Sequence, residues 1–171
     1  MSVFLGAQLT ALCDRLAAGS TPEVSAEGSR LELGVENMPA VDKDNTDRNR
    51  TSPVAFTGNK FEFRAVGSEQ NPAWPVTVLN TIVAAGLKQM SEWIASEGGL
   101  RPAVRKAMAE TAGVRFEGNG YSGEWVVEAA RRGLKNLQKT PEALDELRGD
   151  SVIKLFADHA VLSGQEVESR Y

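Results

Sequence analysis

Cysteine and histidine are nearly missing from this 171-residue chain, which has one of each, Cys13 and His159. A single cysteine excludes an internal disulfide, and the pair together excludes a zinc site of the usual four-ligand kind. Aromatic residues make up only 6% of the chain. No run is apolar enough to span a bilayer. The first residues, MSVFLGAQLTALCDRL, lack a basic start and a long apolar run and soon meet Asp14, so they predict an amphipathic helix rather than a signal peptide. A formal charge of -4 argues against nucleic acid as a partner. These absences leave a soluble, cytoplasmic protein whose 42% hydrophobic content suffices for a sizeable core, and whose length alone suggests one domain.

Against that acidic balance, one segment is cationic. Between Lys43 and Arg64 there are five basic residues (Lys43, Arg48, Arg50, Lys60, Arg64) and three acidic ones (Asp44, Asp47, Glu62). A local cationic site in an acidic chain suggests a bound anion. In the second half of the segment, Phe61 and Phe63 alternate with Lys60, Glu62 and Arg64. Strand side chains repeat every two residues, so the rings share one face, expected to be core, and the charges share the other, spaced roughly 6.5–7 Å apart. A carboxylate between two cations could hold a divalent metal while the cations hold a phosphate or carboxylate, for which arginine has a two-pronged grip. The plainer alternative is an amphipathic strand with a solvated, salt-bridged face.

Along the chain, apolar spacing predicts a helix from Ala7 to Ala18 ended by Gly19, an exposed loop from Ser20 to Ser29, and a short strand from Leu31 to Val35 before a turn at Pro39. Asp42 to Gly58 reads as loop, leading into a strand from Lys60 to Val66. After Pro75 a helical stripe runs to about Ser96, and a second helix from Pro102 to about Ala112. Gly118-Asn119-Gly120 is a turn before a helix from about Gly123 to Gln138, followed by short helices over Pro141–Arg148, Ser151–Ala160 and Ser163–Tyr171. The fold class is α+β, a small antiparallel sheet followed by a helical half.

The run DNTDRNRTSPVAFTGNKFEFRAVGS, from Asp44 to Ser68, resembles the substrate-binding segment of glutamine synthetases, specifically the long type III form. The segments SVFLGAQLT from Ser2, VLNTIVA from Val78, GNGYSGEW from Gly118 and SRY from Ser169 look like type III sequence as well, so the resemblance covers nearly the whole chain. It implies that residues 1–100 are part of the catalytic domain and 101–171 a helical C-terminal segment, the chain being a piece truncated at both ends.

The resemblance also implies a chemistry, in which ATP and L-glutamate give γ-glutamyl phosphate, ammonia displaces the phosphate, and Mg²⁺ or Mn²⁺ holds the polyphosphate. Glu62 matches the family's metal ligand, and a hard oxygen donor suits such ions. Arg64 matches the arginine that grips the glutamate carboxylate. Arg50 matches the catalytic arginine that contacts the transferred phosphate, where fixed charge stabilises the transition state. Lys60 sits where relatives carry a basic residue near the nucleotide phosphates. Shorter family members place a further arginine about five residues after the one matching Arg50, a position occupied here by Ala55, which takes no role. Asn45, Asp47 and Arg48 belong to the motif without a derived role, Asp47 being a neutralising partner for a neighbouring arginine in the plainer reading.

His159, near a helix end, is expected to be structural, as are Cys13, Trp93 and Trp125; Trp74, just past the strand, has no assigned part. The family needs further metal-binding carboxylates and a histidine that are absent here, so the chain alone is expected to be inactive. The resemblance implies a double-ring homo-oligomer with sites between subunits. The alternative is a non-catalytic glutamate- or nucleotide-binding module derived from the same fold, and a purely structural helical protein ranks last.

Overall fold

The computed structural model describes residues 2–20, 30–31, 41–42, 49, 51–64, 67 and 69–171, with backbone alone at 30–31 and 41–42. The elements are mixed α+β: β1 (Val3–Phe4), α1 (Ala7–Ala17), β2 (Arg30–Leu31), β3 (Val41–Asp42), β4 (Val54–Phe56), β5 (Phe61–Phe63), α2 (Ala73–Ser96), α3 (Leu100–Glu110), α4 (Gly123–Arg131), α5 (Thr140–Leu144), α6 (Asp150–Asp158) and α7 (Gly164–Arg170). They fall into two compact units, each made of two stretches of chain: residues 1–65 with 105–134, and residues 66–104 with 135–171.

The first unit holds a three-stranded sheet in the order β1-β4-β5, with β1 parallel to β4 and β4 antiparallel to β5. β2 and β3 pair separately and antiparallel. The strand β4 lies inside the stretch expected to be loop. Pro53 and Gly58 bracket it so closely that three apolar residues, Val54, Ala55 and Phe56, are all that remains to signal it. Gly58, with φ +93°, turns the hairpin into β5, and the Thr57 N–H donates to the Lys60 carbonyl at 2.9 Å. Glycine at the first central position of a two-residue turn matches the right-handed twist of the strands it joins.

Register decides which face of this sheet is covered. Phe4 pairs with Ala55, and Ala55 with Glu62, so these three share one face; Phe4 is 1% exposed and Ala55 0%. Phe61 and Phe63 lie on the other face and are 59% and 38% exposed. The expectation that their rings form the core is therefore overturned. The buried side was set by β1, a strand far away in sequence, and alternation within β5 alone cannot reveal that. The Phe61 ring instead packs on Phe56 across the hairpin, centroids 5.2 Å apart.

Around the sheet, α1 ends as expected at Gly19 with paired bonds from Gly19 N to Leu16 O and Ser20 N to Arg15 O, both 3.0 Å. Its start is held by Glu117, whose carboxylate accepts from the Leu5 and Gly6 N–H groups at 3.2 and 2.8 Å and from the Thr10 hydroxyl. Arg115 is buried, bonded to the Met108 carbonyl at 2.8 Å and to Asp14 at 3.0 Å. Cys13 is buried too, and desolvation pushes its thiol pKa up. The helix α4 stops at Arg131, short of the expected Gln138. Gly133, at φ +72°, takes the left-handed position that closes a helix, with Leu134 N bonded to Ala129 O at 2.9 Å.

The second unit is helical. Phe156, Leu162 and Val167 form its buried cluster, with Val78, Val152 and Ile153 packed against it. Trp74 joins this cluster, its ring centroid 5.7 Å from that of Phe156, which gives it a packing role. Pro75 lies in the first turn of α2, where no donor is required, so the helix begins before it rather than after. Ser163 and Glu166 form a reciprocal cap on α7, and His159 caps the C-terminal end of α6 as its position near a helix end suggested. Among the described residues, no helix is long and apolar enough to cross a membrane.

Candidate functional site

Lys60, Glu62 and Arg64 come together along the length of β5, from the hairpin turn to the strand's far end. The Lys60 ammonium lies 2.9 Å from Glu62 Oε1 and the Arg64 guanidinium 2.9 Å from Glu62 Oε2. Alternation along the strand makes this possible, because all three side chains leave the same side of the backbone. The arrangement is open to solvent: the side chains of Lys60, Glu62 and Arg64 are 59%, 38% and 30% exposed. Hydrogen bonds from Lys60 and then Arg64 hold the Glu62 carboxyl down, at about 2 against an ordinary 4.5, so it is ionised throughout the physiological range.

Each cation has a further anchor. Lys60 Nζ donates to Thr57 Oγ1 at 2.9 Å, and Arg64 Nη1 donates to the Asn49 carbonyl at 2.5 Å. Asn49 is itself a junction. Its Oδ1 accepts from both the N–H and the hydroxyl of Thr51, at 2.9 and 2.6 Å, and its Nδ2 donates to the Gly118 carbonyl at 2.9 Å. Thr51 Oγ1 then accepts from the Gly120 N–H at 2.7 Å. Asn49 and Thr51 are thus clamped to the Gly118-Asn119-Gly120 turn. Arg50, the expected catalytic arginine, lies outside the described residues, as do Asn45, Asp47 and Arg48.

Sequence reasoning placed the charged ladder and missed this clamp. The partners are 69 residues apart, and the only local signal was a glycine-rich turn. Beyond the turn, the ring of Phe116 stacks on Trp125 at 3.9 Å, and a cleft of about 690 Å³ opens beside them. Glu124 and Glu128 line that cleft, and both oxygens of Glu128 are taken by Arg131 and Arg132. Trp125 is buried, as a core aromatic should be.

The ladder suits an anion better than a metal. Glu62 is its only carboxylate, and both its oxygens are already bonded to cations. Among the described residues no group of three or more His, Cys, Asp or Glu is placed to hold a metal ion. These residues alone do not make a centre for Mg²⁺ or Mn²⁺, which take about six oxygen donors. Exchange of one carboxylate for another on Arg64 is within reach, because a single nitrogen, Nη2, holds Glu62 and can donate to another carboxylate in its place.

Residues 100–171 match the glutamine synthetase C-terminal domain. Over nearly its whole length the chain is 45% identical to a type-3 glutamine synthetase of Dictyostelium discoideum, in an alignment covering 99% of this chain and 24% of the relative. A glutamine synthetase of Bacteroides fragilis is 43% identical over 84% of this chain and 21% of its own length. One from Butyrivibrio fibrisolvens is 35% identical over 100% of this chain and 25% of its own. The chain spans about a quarter of the length of these relatives.

Proposed function

Because the chain belongs to the glutamine synthetase family, we propose that it forms the glutamate-receiving part of an enzyme that joins ammonia to L-glutamate with ATP, through γ-glutamyl phosphate. The observation that carries this reading is the Lys60–Glu62–Arg64 ladder, anchored on Asn49 and facing solvent. Arg64 receives a substrate carboxylate by exchanging it for Glu62, keeping its second nitrogen on the Asn49 carbonyl. Glu62, ionised throughout, screens the two cations from each other until an anion arrives. Lys60, the more exposed cation, is placed for a phosphate of the nucleotide. Arg50 would meet the transferred phosphoryl group, where fixed positive charge favours the transition state over the ground state.

Mg²⁺ or Mn²⁺ would supply charge neutralisation of the polyphosphate when bound. Its ligands would come largely from outside the described residues, Glu62 joining them only where an oxygen is released from Lys60 or Arg64. The chain by itself should form no glutamine, and the complete enzyme is expected to be a ring-shaped homo-oligomer.

Calorimetric titration of the 171-residue chain with L-glutamate tests the reading. Binding should be weak, about millimolar or about -4 kcal/mol. It should disappear in Arg64→Ala and fall in Arg64→Lys, which keeps the charge but has no second nitrogen to stay on the Asn49 carbonyl. Equal binding by wild type and Arg64→Ala would refute the assignment.

A further inference from the structure

The bonds that converge on Asn49 come from two directions. One is the Arg64 guanidinium, donating to its carbonyl; the other is the Gly118–Gly120 turn, which accepts from the Asn49 side chain and donates to Thr51. A carbonyl can orient a guanidinium only if the peptide carrying it is itself held. Asn49 is half-buried, and side chains contribute that hold: Asn49 Oδ1 accepts from Thr51, Asn49 Nδ2 donates to the Gly118 carbonyl, and Thr51 Oγ1 accepts from Gly120.

Gly120 approaches so closely that a Cβ there would lie 2.5 Å from the Thr51 carbonyl oxygen. Only glycine permits the contact. The turn and the segment around Thr51 therefore fit each other at backbone level, beyond the reach of an adaptable side chain.

We propose that Asn49 and Thr51 are positioning residues for Arg64, and that the Gly118-Asn119-Gly120 turn is the platform on which they are set. The inference rests on the reading of Arg64 as the group that grips a substrate carboxylate. It adds a distant turn, and two uncharged residues, to the determinants of that grip. Thr51 acts through one oxygen that accepts from Gly120 while its hydrogen goes to Asn49; serine can reproduce this and valine cannot.

The test is nuclear magnetic resonance of the Arg64 guanidinium in the full 171-residue chain, with L-glutamate titration alongside. In the wild type the Arg64 Nη hydrogens should give separate signals, because rotation about the Cζ–Nη bonds is hindered by Asn49 and Glu62. Thr51→Val should speed that rotation by about tenfold and weaken glutamate binding by a similar factor, as loss of a hydrogen-bonded anchor predicts. Thr51→Ser should restore both. Asn49→Asp, which keeps the two acceptor bonds to Thr51 and loses the donor to Gly118, should lie between them.

Unchanged rotation in Thr51→Val, with the melting temperature of the wild type, would overturn the proposal. Equal loss in the serine and valine variants would also overturn it, since bulk rather than the hydroxyl would then be responsible. Should wild-type Arg64 be held as described while glutamate fails to bind, the substrate reading fails and the positioning of Arg64 by Thr51 stands.

Discussion

Glu62 is the residue on which the electrostatics of the site turn. Its carboxyl is held at about 2 by hydrogen bonds from Lys60 and Arg64. A carboxylate depressed in the folded state contributes stability that is present above its unfolded value, near 4.5, and lost as pH falls through about 2. The ladder should therefore stay paired in the folded chain until the pH nears about 2, while its contribution to stability declines between about pH 4.5 and 2. Carbonyl-carbon resonance of Glu62 should titrate with a midpoint near 2, and Lys60→Ala or Arg64→Ala should raise that midpoint toward the ordinary value. A wild-type midpoint above 4 would mean that the two ion pairs do not form in solution. The same three residues were legible in the sequence, because charges at alternate positions of a strand must meet. The Asn49–Thr51 clamp was not, since nothing in a sequence marks which turn, 69 residues on, will present its backbone.

At the scale of elements, long-range contacts overrode local pattern in the sheet. The Phe61 and Phe63 rings face outward because β1 contributes Phe4 to the opposite face, and β4 escaped notice because three residues are too few to show a period. Helix ends were more legible: Gly19, Ser122 and Ser163 act where capping chemistry puts them. Two ends departed from expectation, the start of α2 ahead of Pro75 and the end of α4 at Arg131, and the start of α1 has a cap residue, Gly6, that offers no side chain. Glu117, 111 residues from Gly6, instead accepts from the Gly6 N–H just ahead of the first turn, bringing negative charge to the helix N-terminus. Glu117→Ala should destabilise α1 by about 2 kcal/mol, within the range for losing a helix cap or a charged hydrogen-bond partner. Hydrogen exchange at α1 amides should accelerate accordingly, with Glu117→Gln in between. Unchanged protection of these amides would show that the carboxylate is not what holds the helix start.

For the whole molecule, composition excluded disulfides and zinc but could not supply a function; the family came from long motifs, and the relatives confirm that it extends over nearly the entire chain. The two faces of the long helix α2 differ in how they are covered. Trp74, Val78 and Thr81 on one of its faces are wholly or partly packed, whereas Val76, Val83 and Leu87 on the opposite face are 51%, 57% and 66% exposed. A helix apolar on two sides is usual in the interior of a larger protein.

The central claim is that Arg64 and its ladder serve glutamine synthesis. Its most direct test is to substitute these 171 residues for the aligned segment of the Dictyostelium discoideum relative and assay glutamine formed from L-glutamate, ammonia and ATP. The account predicts a folded, active chimaera that loses at least about a hundredfold in kcat/KM on Arg64→Ala, roughly 2.7 kcal/mol of transition-state stabilisation. A folded chimaera that makes no glutamine, or one whose Arg64→Ala variant is as active as its parent, would contradict it.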